Sequence, residues 1–235
     1  MTTADYNIHK FDAMSPAVWE EPWIKALTSQ ITTALQNHVA WIGIETDNTG
    51  SDYKLFDYAC GNGVASHALA SFFPVIHGMD ISSGMVSQYN VRAEDSKLSH
   101  RMHAVVGNLL DDSDSGAVAA APTDAALVVM SMALHHVSDP ATMIRKLSQR
   151  LRPGGVLLII DFVATSESGC PALEDDSPMS HAIAHRGFTE KAVRDMFSQA
   201  GLQSWAWKWM DEQTKLPEAA GGVQQLFLAR GVREG

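Results

Sequence analysis

Two glycines separated by a single residue lie between an apolar run and a helix-compatible segment. Gly61 and Gly63 stand within FDYACGNGVASHAL, residues 56–69, and Asp80 ends the next apolar run, 19 positions after Gly61. Glycines let a backbone approach a ligand closely, and a helix that follows them points its amide groups at an anion. An acid at this distance is typical of one that binds the two hydroxyls of a ribose. The spacing indicates a nucleoside cofactor, with a tight packing turn and a solvated aspartate as the alternative.

Short apolar runs that alternate with helix-compatible segments would position this turn. The runs predict strands at 53–58, 75–80, 103–107, 125–130 and 156–161. Such alternation is typical of a parallel sheet with crossover helices. In the clearest helix, DPATMIRKLSQRL, Asp139 is the predicted cap and Pro140 fits the first turn. Its predicted apolar face consists of Met143, Ile144, Leu147 and Leu151.

The two ends of the chain depart from this alternation. About fifty residues precede the first predicted strand, and the spacing of Ile24, Leu27, Ile31 and Leu35 predicts one or two amphipathic helices there. After a helix that stops at Gly201, two strands are predicted at 203–210 and 223–229. The loop between them is too short for a crossover helix, so they are predicted to pair antiparallel.

Composition excludes several classes of protein. The chain has 235 residues, 46% of them hydrophobic, and a formal net charge of −10. One domain is expected at this length, and an acidic chain lacks the basic surface that a nucleic acid requires. No apolar run is long enough to cross a membrane, and the two cysteines have no metal-ligand spacing. With no signal segment at its start, the chain is expected to be soluble and cytoplasmic, without a metal, nucleic-acid or membrane partner.

Nicotinamide dinucleotides and S-adenosylmethionine both carry the ribose that Asp80 would bind. Ser66 stands where the dinucleotide pattern has its third glycine or an alanine. A helical extension precedes the first strand, and the predicted sheet ends in an antiparallel pair. Asp57 adds an acid inside the first strand, four residues before Gly61. These departures from the dinucleotide pattern favour S-adenosylmethionine.

The order and spacing of five segments make the chain resemble the class I S-adenosylmethionine-dependent methyltransferases. The segments are FDYACGNG, IHGMDISSGMV, VVGNLLDD, DAALVVMSMALHHVSDP and LRPGGVLLIIDF. The resemblance implies an α/β, Rossmann-like sheet of seven mostly parallel strands with a C-terminal antiparallel hairpin and helices on both faces. It also implies an N-terminal helical lid over residues 1–50 and a methyltransferase domain over 51–235. LHHVSDP and HRGFTEKAVRDMFSQAGL resemble the branch that methylates small molecules, including ubiquinone-pathway and secondary-metabolite enzymes.

The resemblance also implies a cofactor site. Asp57 would meet the ammonium group of the methionine part, and Asp80 would bind the ribose. Asn108 stands where many relatives have an aspartate that binds the adenine amino group, and its amide oxygen could accept the same bond. The full predicted cofactor set is Asp57, Ala59, Cys60, Gly61, Gly63, Asp80, Ile81, Met85, Asn108, Leu109, Met130 and Ser131.

Histidines supply the candidate bases. Methyl transfer from a sulfonium depends mostly on alignment, and a base is needed only when the acceptor arrives protonated. The candidate catalytic residues are His136 and His185, with packing of His136 and pocket lining by His185 as alternatives. The predicted substrate contacts are Phe11, Trp19, Trp23, His135 and His181, with core packing as the alternative for the tryptophans.

The sequence thus predicts an enzyme that uses S-adenosylmethionine, yields S-adenosylhomocysteine, and methylates a small organic acceptor at oxygen or sulfur. The alternatives are a non-catalytic protein that binds the cofactor or a partner, and a fold relative that catalyses a different reaction. A monomer or a homodimer is expected.

Overall fold

A computed structural model describes residues 2–47, 50, 52–111, 115–164 and 182–235 of the chain. Within these ranges the helices are α1 (Thr3–Asp12), α2 (Pro22–Asn37), α3 (Val39–Ile42), α4 (Val64–Leu69), α5 (Ser83–Asp95), α6 (Ser115–Ala120), α7 (Pro140–Ser148) and α8 (Glu190–Gln199). Short 3-10 helices cover Pro16–Glu20, Leu134–His136 and Glu218–Ala220. In the same ranges, no helix is long and apolar enough to cross a membrane.

The strands are β1 (Lys54–Tyr58), β2 (Val75–Asp80), β3 (Met102–Val106), β4 (Ala125–Ser131), β5 (Leu151–Phe162), β6 (Leu202–Trp209), β7 (Thr214–Lys215), β8 (Val223–Gln224) and β9 (Leu226–Arg233). Among the described residues, seven of them form one sheet in the order β3-β2-β1-β4-β5-β9-β6. The first five strands of that order are parallel, and β9 pairs antiparallel with both β5 and β6. The predicted sheet and its antiparallel end are confirmed.

The central strand β4 shows why helices cover both faces. Its residues are apolar and buried on both sides, as expected of an inner parallel strand. Leu127 and Val129 pack into a cluster with α2, α4 and α5. Val128 and Met130 point the other way, into a cluster with α7 and α8. The alternation of side chains along the strand thus divides the core into two halves.

The N-terminal segment contains more helices than the sequence predicts. Helix α2 buries Ile24, Ile31 and Leu35, as its spacing indicated. Helix α1 was not predicted, although Thr2 and Asp5 form a capping box at its start, with each side chain bonded to the other's backbone N–H. The division of the chain near residue 50 into a lid and a domain stays a prediction.

The prediction that Leu151 lies on the apolar face of helix α7 is wrong. The helix ends at Ser148, and Leu151 begins β5, where it pairs with Ala125. Leu151 follows Leu147 by four residues, which fits one face of a helix. The backbone N–H of Ala125 donates to the carbonyl of Arg150, however, and this bond places the segment in the sheet. Strand β5 therefore starts five residues before the predicted 156.

Candidate cofactor and acceptor site

The turn between β1 and α4 contains three residues in the left-handed region. Ala59 has φ +54°, Gly61 φ +51° and Gly63 φ +85°. A Cβ at Gly63 would lie 2.8 Å from the ring of Tyr89, whereas a Cβ at Gly61 would meet nothing within 4 Å. Gly63 is therefore required by packing inside the protein. Gly61 borders open space at the carboxyl ends of the parallel strands, where ligands bind in such sheets.

Asp80 links this turn to the next helix. Its carboxylate accepts a bond from the Gly61 N–H at 2.9 Å through Oδ2, and one from the Ser82 N–H at 3.0 Å through Oδ1. The residue is only 7% exposed, and burial raises the pKa of its carboxyl, against the lowering effect of these bonds. The structure thus brings Asp80 and Gly61 together, as the 19-residue spacing predicted.

Asp57 is buried beneath the turn. Its Oδ2 accepts bonds from the Ser66 N–H at 3.1 Å and the Ser66 hydroxyl at 2.7 Å, and that hydroxyl accepts one from Tyr89 at 2.9 Å. Burial raises the pKa of the Asp57 carboxyl to about 7. Ser66 therefore departs from the dinucleotide pattern because it serves as a donor to this carboxylate. That Asp57 binds the ammonium of the cofactor stays a prediction.

The proposed adenine side is well packed. Met85 and Leu109 are almost completely buried, and the N–H of Leu109 donates to the Tyr58 hydroxyl at 3.2 Å. The side-chain oxygen of Asn108 accepts the Leu110 N–H at 2.9 Å. It also accepts the Tyr58 hydroxyl at 3.4 Å, so an adenine amino group would have to displace this long bond, and the contact of Asn108 with adenine stays a prediction.

The other predicted cofactor residues border the same edge of the sheet. Ile81 follows β2, the buried thiol of Cys60 lies in the turn, and Met130 and Ser131 end β4. Met132, directly after β4, has φ +55°, so the backbone turns sharply at a second strand end. Strain of this kind tends to persist where function requires it.

His135 is held by an aspartate that the sequence reasoning did not select. Asp161, fully buried at the end of β5, accepts the backbone N–H of His135 at 3.0 Å and lies 2.8 Å from its Nδ1. Because a carboxylate accepts bonds, Nδ1 carries the proton. An ionisable residue that ends an apolar strand, at the edge where the glycine turn lies, was the signal that could have identified Asp161.

His136 lies beside this pair, with its ring centre 4.1 Å from that of His135. Its Nδ1 lies 2.6 Å from the carbonyl oxygen of Ala182, which can only accept a bond, so Nδ1 is protonated and Nε2 carries the lone pair. Burial, and then the nearby His135 and Lys10, hold the pKa of His136 well below its usual range. At neutral pH the ring is a neutral imidazole with an unprotonated Nε2, which is a weaker base than that of an exposed histidine.

Helix α1 packs against these histidines. The ring centres of Phe11 and His136 lie 5.5 Å apart, with the two ring planes at 76°. Asn7 is 2% exposed and donates through Nδ2 to the Ala182 carbonyl at 3.1 Å, the same oxygen that holds His136. Phe11 thus lies beside the candidate base, and Asn7 is an additional residue at this position; that Phe11 contacts the substrate stays a prediction.

The remaining predicted acceptor residues do not all lie together. The backbone N–H of His185 donates to the backbone carbonyl of His135 at 3.0 Å, and its ring centre lies 5.5 Å from that of Phe188. That His185 acts as a base stays a prediction. Trp19 instead donates to Gln88 of α5 at 2.7 Å and lines a separate cavity of about 750 Å³ between α2 and α5. Trp23 is half-buried at the start of α2. His181 lies outside the described residues.

Comparison with known proteins agrees with this arrangement. The model of the family described as methyltransferase domain matches residues 49–214. An uncharacterized methyltransferase of Schizosaccharomyces pombe is 30% identical over 66% of this chain and 55% of its own length. A ubiquinone biosynthesis O-methyltransferase of Coxiella burnetii is 26% identical over 67% of this chain and 64% of its own. The chain thus spans between half and two thirds of the length of these two relatives.

The crystal structure of the [4+2]-cyclase SpnF has the same fold. It aligns with all of this chain and 98% of its own, with a TM-score of 0.73 and 17% identity. The sheet, the glycine turn and the strand-end acid define a Rossmann-like methyltransferase domain. The chain belongs to the methyltransferase-domain family, whose cofactor is S-adenosylmethionine.

Proposed function

We propose that the protein transfers a methyl group from S-adenosylmethionine to an oxygen or sulfur atom of a small organic acceptor. The observation that carries the proposal is the state of His136. A neutral ring whose Nδ1–H is fixed on a carbonyl leaves Nε2 unprotonated at neutral pH and able to accept a proton. The likeness to an O-methyltransferase supports an oxygen acceptor.

The described residues fit the cofactor. The open space at Gly61 leaves room for the methionine part, Asp80 would hold the ribose, and Asn108 would accept the adenine amino group. When bound, S-adenosylmethionine supplies an electrophilic methyl group on a sulfonium sulfur. The protein's part is to align the acceptor with that group and to exclude water, which together provide much of the rate.

His136 would remove the proton of the acceptor. Nε2 of His136 would take up the hydroxyl proton as the acceptor oxygen bonds to the methyl carbon, and the carbon–sulfur bonding pair would remain with the sulfur. The Ala182 carbonyl keeps the ring oriented throughout, since Nδ1 remains its donor. Asp161 fixes the adjacent His135 in place, so the two rings keep their contact.

Label transfer tests the reaction. The protein is incubated with cofactor labelled in the methyl group and a panel of phenols, alcohols, thiols and carboxylates. We expect labelled product from at least one oxygen or sulfur acceptor. Binding of the cofactor without transfer to any acceptor would instead support a non-catalytic protein or a different reaction on this fold, as the SpnF likeness illustrates.

Three variants test the role of His136. His136→Asn keeps a donor for the Ala182 carbonyl but has no basic nitrogen at the position of Nε2, so it separates orientation from proton transfer. We expect a loss of about 100- to 10,000-fold in kcat on an alcohol acceptor, with less loss on a thiol that ionises more easily. His136→Ala should also raise KM. His100→Ala, an exposed histidine before β3, is the control and should behave like the parent.

A further inference from the structure

The end of helix α1 lies directly against the beginning of helix α5. Oδ1 of Asp12 accepts bonds from the Ser82 hydroxyl at 2.7 Å, the Gly84 N–H at 2.9 Å and the Ser83 hydroxyl at 3.3 Å. The Gly84 bond, followed by that of Ser82, lowers the pKa of the Asp12 carboxyl, which is therefore ionised at neutral pH. We call these four residues the α1–α5 junction. An aspartate from a distant helix here satisfies one of the free N–H groups at the start of α5, that of Gly84.

The junction is continuous with the proposed ribose site. Ser82 is fully buried, and while its hydroxyl donates to Asp12, its N–H donates to Oδ1 of Asp80. The other oxygen of Asp80 accepts the N–H of Gly61. An unbroken series of hydrogen bonds therefore runs from the lid helix through Ser82 and Asp80 to the glycine turn.

Gly84 makes this close contact possible. A Cβ at Gly84 would lie 3.0 Å from both Cα and the carbonyl oxygen of Asp12, and backbone atoms cannot move aside as a flexible side chain can. Glycine weakens a helix relative to alanine, so its presence in the first turn of α5 has a cost to that helix. The close approach of α1 gives the reason for it.

The other contacts of α1 lie on the acceptor side. Asn7 donates to the Ala182 carbonyl, and Phe11 packs against His136. The helix therefore extends from the cofactor residues to the proposed base, and its position over both depends on how firmly its end is held at the junction.

We propose that Asp12 is a positioning residue for the adenosine part of the cofactor. Through Ser82 it fixes the Asp80 carboxylate and the first turn of α5, and through its place at the end of α1 it holds that helix beside the cofactor residues. The proposal rests on the proposed cofactor site and adds to it a residue that touches neither the cofactor nor the acceptor.

The test measures binding, independently of turnover. Dissociation constants for S-adenosylhomocysteine and for adenosine are determined by calorimetry for the parent, Asp12→Ala and Gly84→Ala, with the melting temperature of each ligand-free protein. We expect both variants to bind both ligands about five- to tenfold more weakly, by the same factor, because the junction acts on the adenosine end. Asp12→Asn, which keeps an oxygen acceptor without charge, should lie between parent and alanine variant.

Two comparisons separate positioning from general stability. Asp139→Ala removes the aspartate cap of α7, whose Oδ1 accepts the Thr142 N–H at 3.0 Å, and should lower the melting temperature without changing either dissociation constant. Gly84→Ala should raise the intrinsic helix propensity of α5 but lower the affinity for both ligands. A weaker affinity in this variant would therefore not come from a weaker helix.

The proposal is overturned if Asp12→Ala and Gly84→Ala bind S-adenosylhomocysteine as tightly as the parent does. Should Asp12→Ala fail to fold, Gly84→Ala alone decides, since it removes no hydrogen-bonding group. If the parent itself binds neither ligand, the proposed cofactor site is wrong and the junction proposal falls with it. If the parent binds both and the variants match it, only the junction proposal is wrong.

Discussion

The same substitution should have different effects at the two glycines of the β1–α4 turn: mainly on cofactor binding at Gly61 and mainly on stability at Gly63. Both have positive φ, so alanine at either position incurs the left-handed strain of about 1 kcal/mol. At Gly61 that is the whole cost to the ligand-free protein, because the added Cβ meets nothing within 4 Å. At Gly63 the Cβ would lie 2.8 Å from the buried Tyr89 ring, and overpacking of this kind adds about 1 to 3 kcal/mol.

These free energies translate into separable measurements. For a domain of this size, 1 kcal/mol lowers the melting temperature by about 2 to 4 °C. We therefore expect a loss of about 2 to 4 °C for Gly61→Ala and about 4 to 16 °C for Gly63→Ala. If the cofactor occupies the space beside Gly61, the new methyl group collides with it. A collision of about 1 to 3 kcal/mol weakens binding about 5- to 150-fold.

The assay is thermal unfolding of both variants with and without S-adenosylhomocysteine, followed by calorimetric titration. Gly61→Ala should melt close to the parent without ligand and gain much less from its addition. Parental affinity in Gly61→Ala would refute the reasoning, because the open space at that residue would then not hold the cofactor. A larger loss of stability in Gly61→Ala than in Gly63→Ala would refute the packing argument.

Four further outcomes are expected. Burial raises the pKa of Asp57 to about 7, well above its unfolded value, so ionisation of this group opposes folding increasingly from about pH 4 to 7. In urea unfolding, the free energy of unfolding of Asp57→Asn should therefore rise relative to that of the parent up to pH 7 and stay constant above it. If the ionised Asp57 binds the ammonium, calorimetry should show parental affinity for S-adenosylhomocysteine rising with pH up to about 7, and Asp57→Asn should lack this dependence. Asp161→Ala leaves two buried donors of His135 unpaired, at about 1 to 3 kcal/mol each, and should cost about 2 to 6 kcal/mol in urea unfolding. Asp124→Ala, which breaks the exposed pair with Lys54 at 2.7 Å, should cost about 1 kcal/mol or less. Turnover should stay constant as pH falls through 6.5 and decline only well below it, since the lowered pKa keeps His136 neutral there; a decline centred at 6.5 or above would exclude His136 as the base.

The sequence predicted the parts of this site that depend on local patterns. Strand β2 was predicted with its observed bounds, and the pairing of Gly61 with Asp80 followed from a spacing that the parallel β1–β2 unit imposes. Asp139 was identified as the cap of α7 because a helix cap is a short-range feature. In each case the interacting residues lie within a single supersecondary unit.

The acceptor side could not be predicted in the same way. Asp12 accepts an N–H from the first turn of a helix that begins 71 residues later, and Asn7 donates to a carbonyl 175 residues away. An amphipathic pattern indicates that a helix has a buried face, but it does not say which partner covers that face. Trp19 illustrates the limit, since its aromatic character suggested a substrate contact, whereas the fold places its indole N–H on Gln88 of α5.

The two halves of the site come from differently distributed parts of the chain. The proposed adenosine contacts lie mostly within the continuous stretch 57–109, whereas His136 is surrounded by α1, by its own 3-10 helix and by the segment around Ala182. In evolutionary terms, the acceptor can change by substitution in segments that contribute little to cofactor binding. Asn7 and His136 are both held by the backbone oxygen of residue 182, which a residue of any type supplies. A combinatorial library confined to α1 and residues 182–188 should therefore retain cofactor binding in most members, provided that Asp12 is left unchanged.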